Sequence, residues 1–268
     1  MMRGDDRAAV QFLEQWLPGG PWVLTAITTD RKAITTNTFT DSNEVLGWLA
    51  KYNGERNVYF HVNPCTRALT KKADREDVAA LAWLHVDIDP RPGEEVAEEQ
   101  KRALMLLTER LPESVPPPTC VVFSGGGYQG FWKLEEPLPI DGSLEVAEDA
   151  KLWNLQLEIL FGADNCHNVD RIMRLPGTVN LPDSKKRKKG REPELARLVY
   201  LNDTTYPLTA FRKAQPVQTM ATQGFTPTSP NNGCYGIAAK KRSQSPRSLP
   251  WARTPISRSI WRAKMRRS

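Results

Sequence analysis

Along the first 214 residues the apolar positions change period repeatedly, and the changes mark alternating helices and strands. Val10, Leu13, Trp16 and Leu17 recur at helical spacing, which predicts a helix over residues 5–16 that Pro18-Gly19-Gly20-Pro21 stops. Residues 22–28 and 33–39 are β-branched runs separated by Thr29-Asp30-Arg31-Lys32, the pattern of a hairpin. Ser42 is placed to cap a second helix that reaches about Tyr52 and ends at Asn53-Gly54, and residues 57–62 read as another strand. The run 80–89 is apolar until it turns acidic at its end, where Pro90-Arg91-Pro92-Gly93 stops it, so a mostly buried strand is expected there. An amphipathic helix over 94–111 follows. Strands over 119–123 and 128–134, joined by Ser124-Gly125-Gly126-Gly127, precede a helix over 143–161. The alternation predicts an α/β domain ending near Ala214.

Beyond Ala214 the pattern is lost. The last 54 residues hold ten Lys and Arg, no Asp or Glu, and abundant Ser, Thr and Pro, the composition of a disordered basic tail over 215–268. Charge is divided along the chain as well. Residues 1–180 carry 18 Lys and Arg against 27 Asp and Glu, whereas residues 181–268 carry 19 against 4. A basic segment beside an acidic body suits a nucleic acid, whose neutralised phosphates release counterions, and a merely solvated tail fits the charge equally well. No run approaches the roughly 18 apolar residues of a membrane span, and the N-terminus has no apolar signal stretch, so a cytoplasmic protein is expected. The four cysteines are scattered without a Cys-x-x-Cys pair, which points to reduced packing residues.

Three segments carry candidate chemistry. Asp87 and Asp89 stand two apart on the predicted strand, so their carboxylates leave the same face roughly 7 Å apart at the backbone and can converge on hard cations. Such a pair also occurs at exposed strand ends, in metal-dependent phosphatases and in sugar-nucleotide transferases. The turn Ser124-Gly125-Gly126-Gly127-Tyr128-Gln129 offers backbone amides without side-chain obstruction, fit to cradle a phosphate or simply to join two strands. Asp170 lies beside Arg171 and Arg174, whose guanidinium forks suit phosphate oxygens; alone the segment would read as a surface ion pair. Lys185, Lys186, Arg187, Lys188 and Lys189 then form a basic run suited to a phosphate backbone or to solvent. His61 and His85 read as packed strand histidines, and the adjacent Cys166 and His167 diverge too far to make a ligand pair.

The order of these parts resembles the archaeo-eukaryotic primase superfamily, and within it the RepB-type primase domains of plasmids, phages and integrated elements. It runs from a strand ending Asp87-x-Asp89-Pro90 through Ser124-Gly-Gly-Gly-Tyr-Gln129 before an aromatic strand to Val169-Asp-Arg-Ile-Met-Arg-Leu-Pro-Gly-Thr-Val-Asn180. The resemblance spans residues 10–214. It implies an α+β primase-type catalytic domain over residues 1–214, with a divided mixed sheet flanked by helices whose central strands present the acids. It further implies a template-directed nucleotidyltransferase in which Asp87, Asp89 and Asp170 hold two Mg2+ or Mn2+ ions. Ser124, Gly126 and Gln129 would approach the incoming nucleoside triphosphate, Gln129 standing where many relatives have histidine. Arg171 and Arg174 would face the triphosphate or template, with Lys185, Lys186 and Arg187 more peripheral. The implied partners are a single-stranded DNA template, nucleoside triphosphates and a separate replicative helicase, with no membrane. Two other readings stay open: a non-catalytic nucleic-acid-binding protein derived from such a primase, and another metal-dependent phosphoryl or glycosyl transferase sharing only the Asp-x-Asp.

Overall fold

The computed structural model of the chain describes residues 2–215, so the expected tail, beyond Gln215, lies outside the described residues. Strands β1 (Trp22–Ile27) and β2 (Ile34–Phe39) make the expected hairpin, running antiparallel from Trp22 opposite Phe39 to Ile27 opposite Ile34. Strand β3 (Asn57–His61) takes the other edge of β1, and the three-residue β7 (Ile172–Arg174) pairs with β3. The result is an antiparallel sheet of order β2-β1-β3-β7. Helices α1 (Asp6–Trp16) and α2 (Ser42–Tyr52) share its core. Ala9, Phe12, Leu13 and Trp16 on α1, and Val45, Leu49 and Tyr52 on α2, recur every three or four residues and pack with Leu24, Val58 and Phe60. The cap of α2 is Asp41 rather than the expected Ser42. Its carboxylate accepts the amides of Asn43 and Glu44, while the Ser42 hydroxyl donates to Glu14.

The second sheet is built on β6 (Tyr128–Pro139), which runs five residues beyond the expected 134 and pairs along one edge with β4 (Ala80–Ile88). Its other edge takes β5 (Cys120–Phe123) and then, in parallel, β11 (Thr205–Tyr206), while β10 (Arg197–Leu201) lies outside β5. Helices α3 (Val96–Thr108) and α4 (Leu144–Phe161) bury Ala103, Leu107, Leu157 and Phe161 with Leu84, Val86, Ile88 and Trp132 of the strands. Helix α3 is shorter than the apolar pattern suggested because Glu95 accepts the amides of Ala97 and Glu98 and so fixes its start. The sheet is divided, as the resemblance implied. Trp16 stacks on Trp83 at 3.7 Å and meets Phe131 edge-on at 5.1 Å, closing the core between the two sheets. A short helix α5 (Ser184–Lys188) separates β8 (Val179–Asn180) from its partner β9 (Glu194–Leu195). Among the described residues no helix is long and apolar enough to cross a membrane.

Candidate active site

Asp87 lies near the end of β4 and Asp89 just past it, so the carboxylates share one side of the strand end. The Asp87 side chain is 18% exposed and the Asp89 side chain 41%. Oδ1 of Asp87 is buried without a partner. Burial first, and then the Asp89 charge, push the Asp87 carboxyl up to about 7, with Asp164 adding to the rise. Arg171 and the side chain of Gln129, directly opposite Asp87 on β6, act the other way. The Arg171 guanidinium stands 4.0 Å from Asp87 Oδ2, and Lys186 stands 4.0 Å from Asp89 Oδ2. Lys186, expected to be more peripheral, thus lies within reach of the second acid.

The acid laid directly against this pair is Asp164, which the motifs did not single out. Its amide donates to Asp87 O at 2.9 Å and its Oδ2 accepts the Asp89 amide at 2.9 Å. Burial and then Asp89 raise its carboxyl, opposing the lowering by that amide. Asp170 instead faces Lys72 at 3.6 Å, keeps a buried Oδ1 without a partner, and acts on the neighbouring His61. Among the described residues no three His, Cys, Asp or Glu side chains are drawn together tightly enough to hold one metal ion.

The glycine turn is fitted to the acids. Ser124 Oγ accepts the Gly127 amide at 3.0 Å and donates to Gly127 O at 3.1 Å, closing the turn on itself. Gly125 has φ +79°, a conformation that favours glycine. At Gly127 an added Cβ would stand 2.1 Å from Ile88 O and 2.8 Å from Asp89 Cα, so the turn backbone lies against the strand end that carries the acids. Gly127→Ala is therefore expected to push the turn off β4, costing about 1–3 kcal/mol and displacing Asp89. Thermal denaturation and nucleotide incorporation would both register the change.

Beside the acids opens a polar cleft of about 340 Å³ lined by Arg31, Tyr59, Arg171, Arg174, Asn180 and Lys186 among others. Arg174 is 6% exposed, and its guanidinium lies 4.4 Å over the Tyr59 ring. It donates to Asn57 Oδ1 at 2.9 Å, Tyr59 OH at 3.2 Å and Asn180 Oδ1 at 3.1 Å. Asn180 in turn donates to Ser124 O at 2.9 Å, so the cleft floor and the glycine turn are one hydrogen-bonded unit. Among the described residues Arg174 has no carboxylate within ion-pair range, and Asp87 and Asp89 act on it only from farther off. A buried cation held by neutral groups leaves its charge to be met by an anion.

No family model matches the sequence, and no curated protein does. Among solved structures, the fold is similar to the AEP domain of the cyanophage S-2L primase-polymerase, with a TM-score of 0.52 and 15% identity over 76% of this chain and 94% of that one. The chain shares the fold of that domain. At lower scores of 0.46 it also resembles the primase RepB′, at 14% identity over 74% of this chain and 58% of that one. A second RepB′ structure, the catalytic domain in complex with initiator DNA, gives 15% identity over 74% of this chain and 87% of that one.

The end of β4, the glycine turn and the segment 171–180 adjoin one another, so parts of three motifs far apart in sequence come together. Ser124 and Gln129 are buried, and Gly126 lies beneath Arg191, which donates to its carbonyl at 3.3 Å. The rest of the basic run, Lys185, Arg187, Lys188 and Lys189, sits on α5 and the turn after it, with Arg187 Nε donating to Pro182 O. His61 and His85 are buried strand histidines, and burial pushes His85 down to about 3. His167 pairs with Glu158 rather than with Cys166. Arg31 and Asp164 escaped the motif reading. One sits at a hairpin tip with φ +60°, and the other follows the left-handed Gly162 that ends α4; neither position has a periodic signature.

Proposed function

We propose that this domain is a primase-polymerase, a template-directed nucleotidyltransferase acting on single-stranded DNA with nucleoside triphosphates as substrates. The observation that carries the reading is the juxtaposition of the Asp87 and Asp89 carboxylates with a cleft whose buried Arg174, among the described residues, has no carboxylate within ion-pair range and feels those two acids only from farther off. One side of the site needs positive charge and the other negative charge. A metal-bound triphosphate supplies both.

Asp87 and Asp89 fit a divalent cation such as Mg2+ or Mn2+ as a pair of carboxylates, with no third acid drawn in tightly beside them among the described residues. Asp87 keeps a buried oxygen without a partner, and its carboxyl is already destabilised by burial and by a second acid. Asp87 and Asp89 are the proposed ligands, with the third carboxylate coming from Asp170, as the motif implies, or from Asp164, which the two contacts to the acidic strand favour. When bound, the ions lower the pKa of the attacking 3′-hydroxyl and neutralise the departing pyrophosphate. The chain's own groups do the rest. Arg171, Lys186 and Arg31 are placed to take phosphate oxygens, Arg174 holds the cleft floor charged and rigid, and the turn at Ser124 and Gly126 lets the nucleotide approach closely. Lys185, Arg187, Lys188 and Lys189 offer α5 and the turn after it as a rail for the template backbone. A separate helicase would supply single strands.

Incubation with single-stranded template, labelled nucleotides and Mn2+ tests the reading, with extended product expected. Tight DNA binding without product would favour a non-catalytic relative, and activity that survives Asp87→Ala would remove the metal assignment. Asp164→Asn and Asp170→Asn compared in the same assay decide the third acid. The true ligand is expected to lose about a hundredfold or more, as removal of a group acting directly on transition-state charge does, and the other far less.

A further inference from the structure

Among the described residues strand β4 meets β6 on one edge and no strand on the other. Along that free edge several backbone groups are nonetheless engaged, mostly by side chains. Asn63 Oδ1 accepts the amides of Ala82 at 2.9 Å and Trp83 at 3.0 Å, and Asn154 Oδ1 accepts the His85 amide at 3.0 Å. Asp164 completes the row at Asp87 and Asp89. Both asparagines then spend their NH2 groups on the opposite side. Asn63 Nδ2 donates to Val169 O at 3.2 Å, and Asn154 Nδ2 to His167 O at 3.3 Å. Neither is on the surface, for Asn63 is 2% exposed and Asn154 is wholly buried. They come from different elements, one just past β3 and the other mid-way along α4.

We propose that Asn63 and Asn154 are positioning residues that hold segment 163–171 along β4 in place of a strand, and so set Asp164 and Arg171 against Asp87 and Asp89. The idea rests on the active-site reading above. A side-chain amide accepts through its oxygen and donates through its nitrogen, two atoms that point apart, so each asparagine works as a single rung between two chains. Without the rungs the edge amides at 82, 83 and 85 are buried and unmet, which native structures avoid. A true strand would force the segment into period two. Side-chain rungs leave it free to turn Asp164 and Arg171 towards the acids.

The test compares Asn154→Ala with Leu157→Ala, a buried apolar truncation one turn along the same helix. Hydrogen exchange at residues 82–85 and 163–171 is read beside kcat and nucleotide KM on a primed template. Asn154→Ala is expected to speed exchange in both stretches and to lower kcat about 10- to 100-fold, the range found when the partners orienting a site's ligands are removed, with KM little changed. Leu157→Ala should lower the melting temperature while sparing both readouts. An Asn154→Ala protein that matches Leu157→Ala in exchange and kcat overturns the proposal. Should that variant not fold, Asn63→Ala is read in the same way from the other side. If the unsubstituted protein incorporates no nucleotide, the primase reading fails on its own, and the exchange pattern alone decides whether the asparagines hold the segment.

Discussion

Asp87→Asn is expected to abolish template-directed incorporation, by about a thousandfold or more, while leaving the fold intact. The amide is isosteric with the carboxylate and carries no charge, so the substitution removes the anion and little else. It should also raise the stability of the metal-free protein at neutral pH. The Asp87 carboxyl titrates at about 7 in the fold against an ordinary 3.8, so the folded state binds this proton more tightly than the unfolded chain. Its contribution is therefore most favourable below pH 4, is lost progressively as pH rises towards 7, and is flat above. Asparagine has no such loss. Melting temperatures recorded from pH 4 to 8 in chelator should converge for the two proteins at the acid end and separate at the neutral end. Parallel curves would mean that Asp87 is not held in the unfavourable setting described.

Arg174→Ala is the second large effect, on stability and activity together. The substitution removes three hydrogen bonds and the stacking on Tyr59, and it leaves Asn180 Oδ1 without its donor. A loss of about 3 kcal/mol follows from hydrogen bonds to a charged group and a largely desolvated cation–π contact. For a domain of this size that corresponds to roughly 6–12 °C in melting temperature. Lysine should not rescue it, because a point charge cannot reproduce a planar fork that meets three acceptors while lying on a ring. A stable Arg174→Lys protein with normal nucleotide KM would show that the fork is dispensable.

The elements that could be read from the chain were those with enough residues to show a period. The β1–β2 hairpin, β4, and helices α1, α2 and α4 all present buried faces over six or more positions, and each was found within a residue or two of its expected place. Strands of two or three residues, β7, β8, β9 and β11, have no period to detect; the pairing of Tyr59 with Arg174 or of Lys133 with Thr205 is decided by the tertiary fold. The site divides in the same way. Asp87, Asp89, Asp170, Arg171 and Arg174 stand out because charged residues interrupt or border apolar runs. Which cation meets which acid was not legible, since Lys72 and Lys186 reach their partners across the fold. Asn63 and Asn154 resemble ordinary polar residues until their burial is known. Asp164 lies six residues before the acid that the motif named, at a helix end where an acid needs no special explanation.

The account depends on a divalent ion seated at the end of β4 beside an anion-demanding cleft. Calorimetric titration of Mn2+ into the DNA-free protein at pH 8, with a non-hydrolysable nucleoside triphosphate present, addresses that directly. Saturable binding is expected that weakens at pH 6, where the Asp87 proton competes, and that is lost in Asp87→Asn. Binding of equal strength in that variant, or none in the unsubstituted protein, would contradict the account.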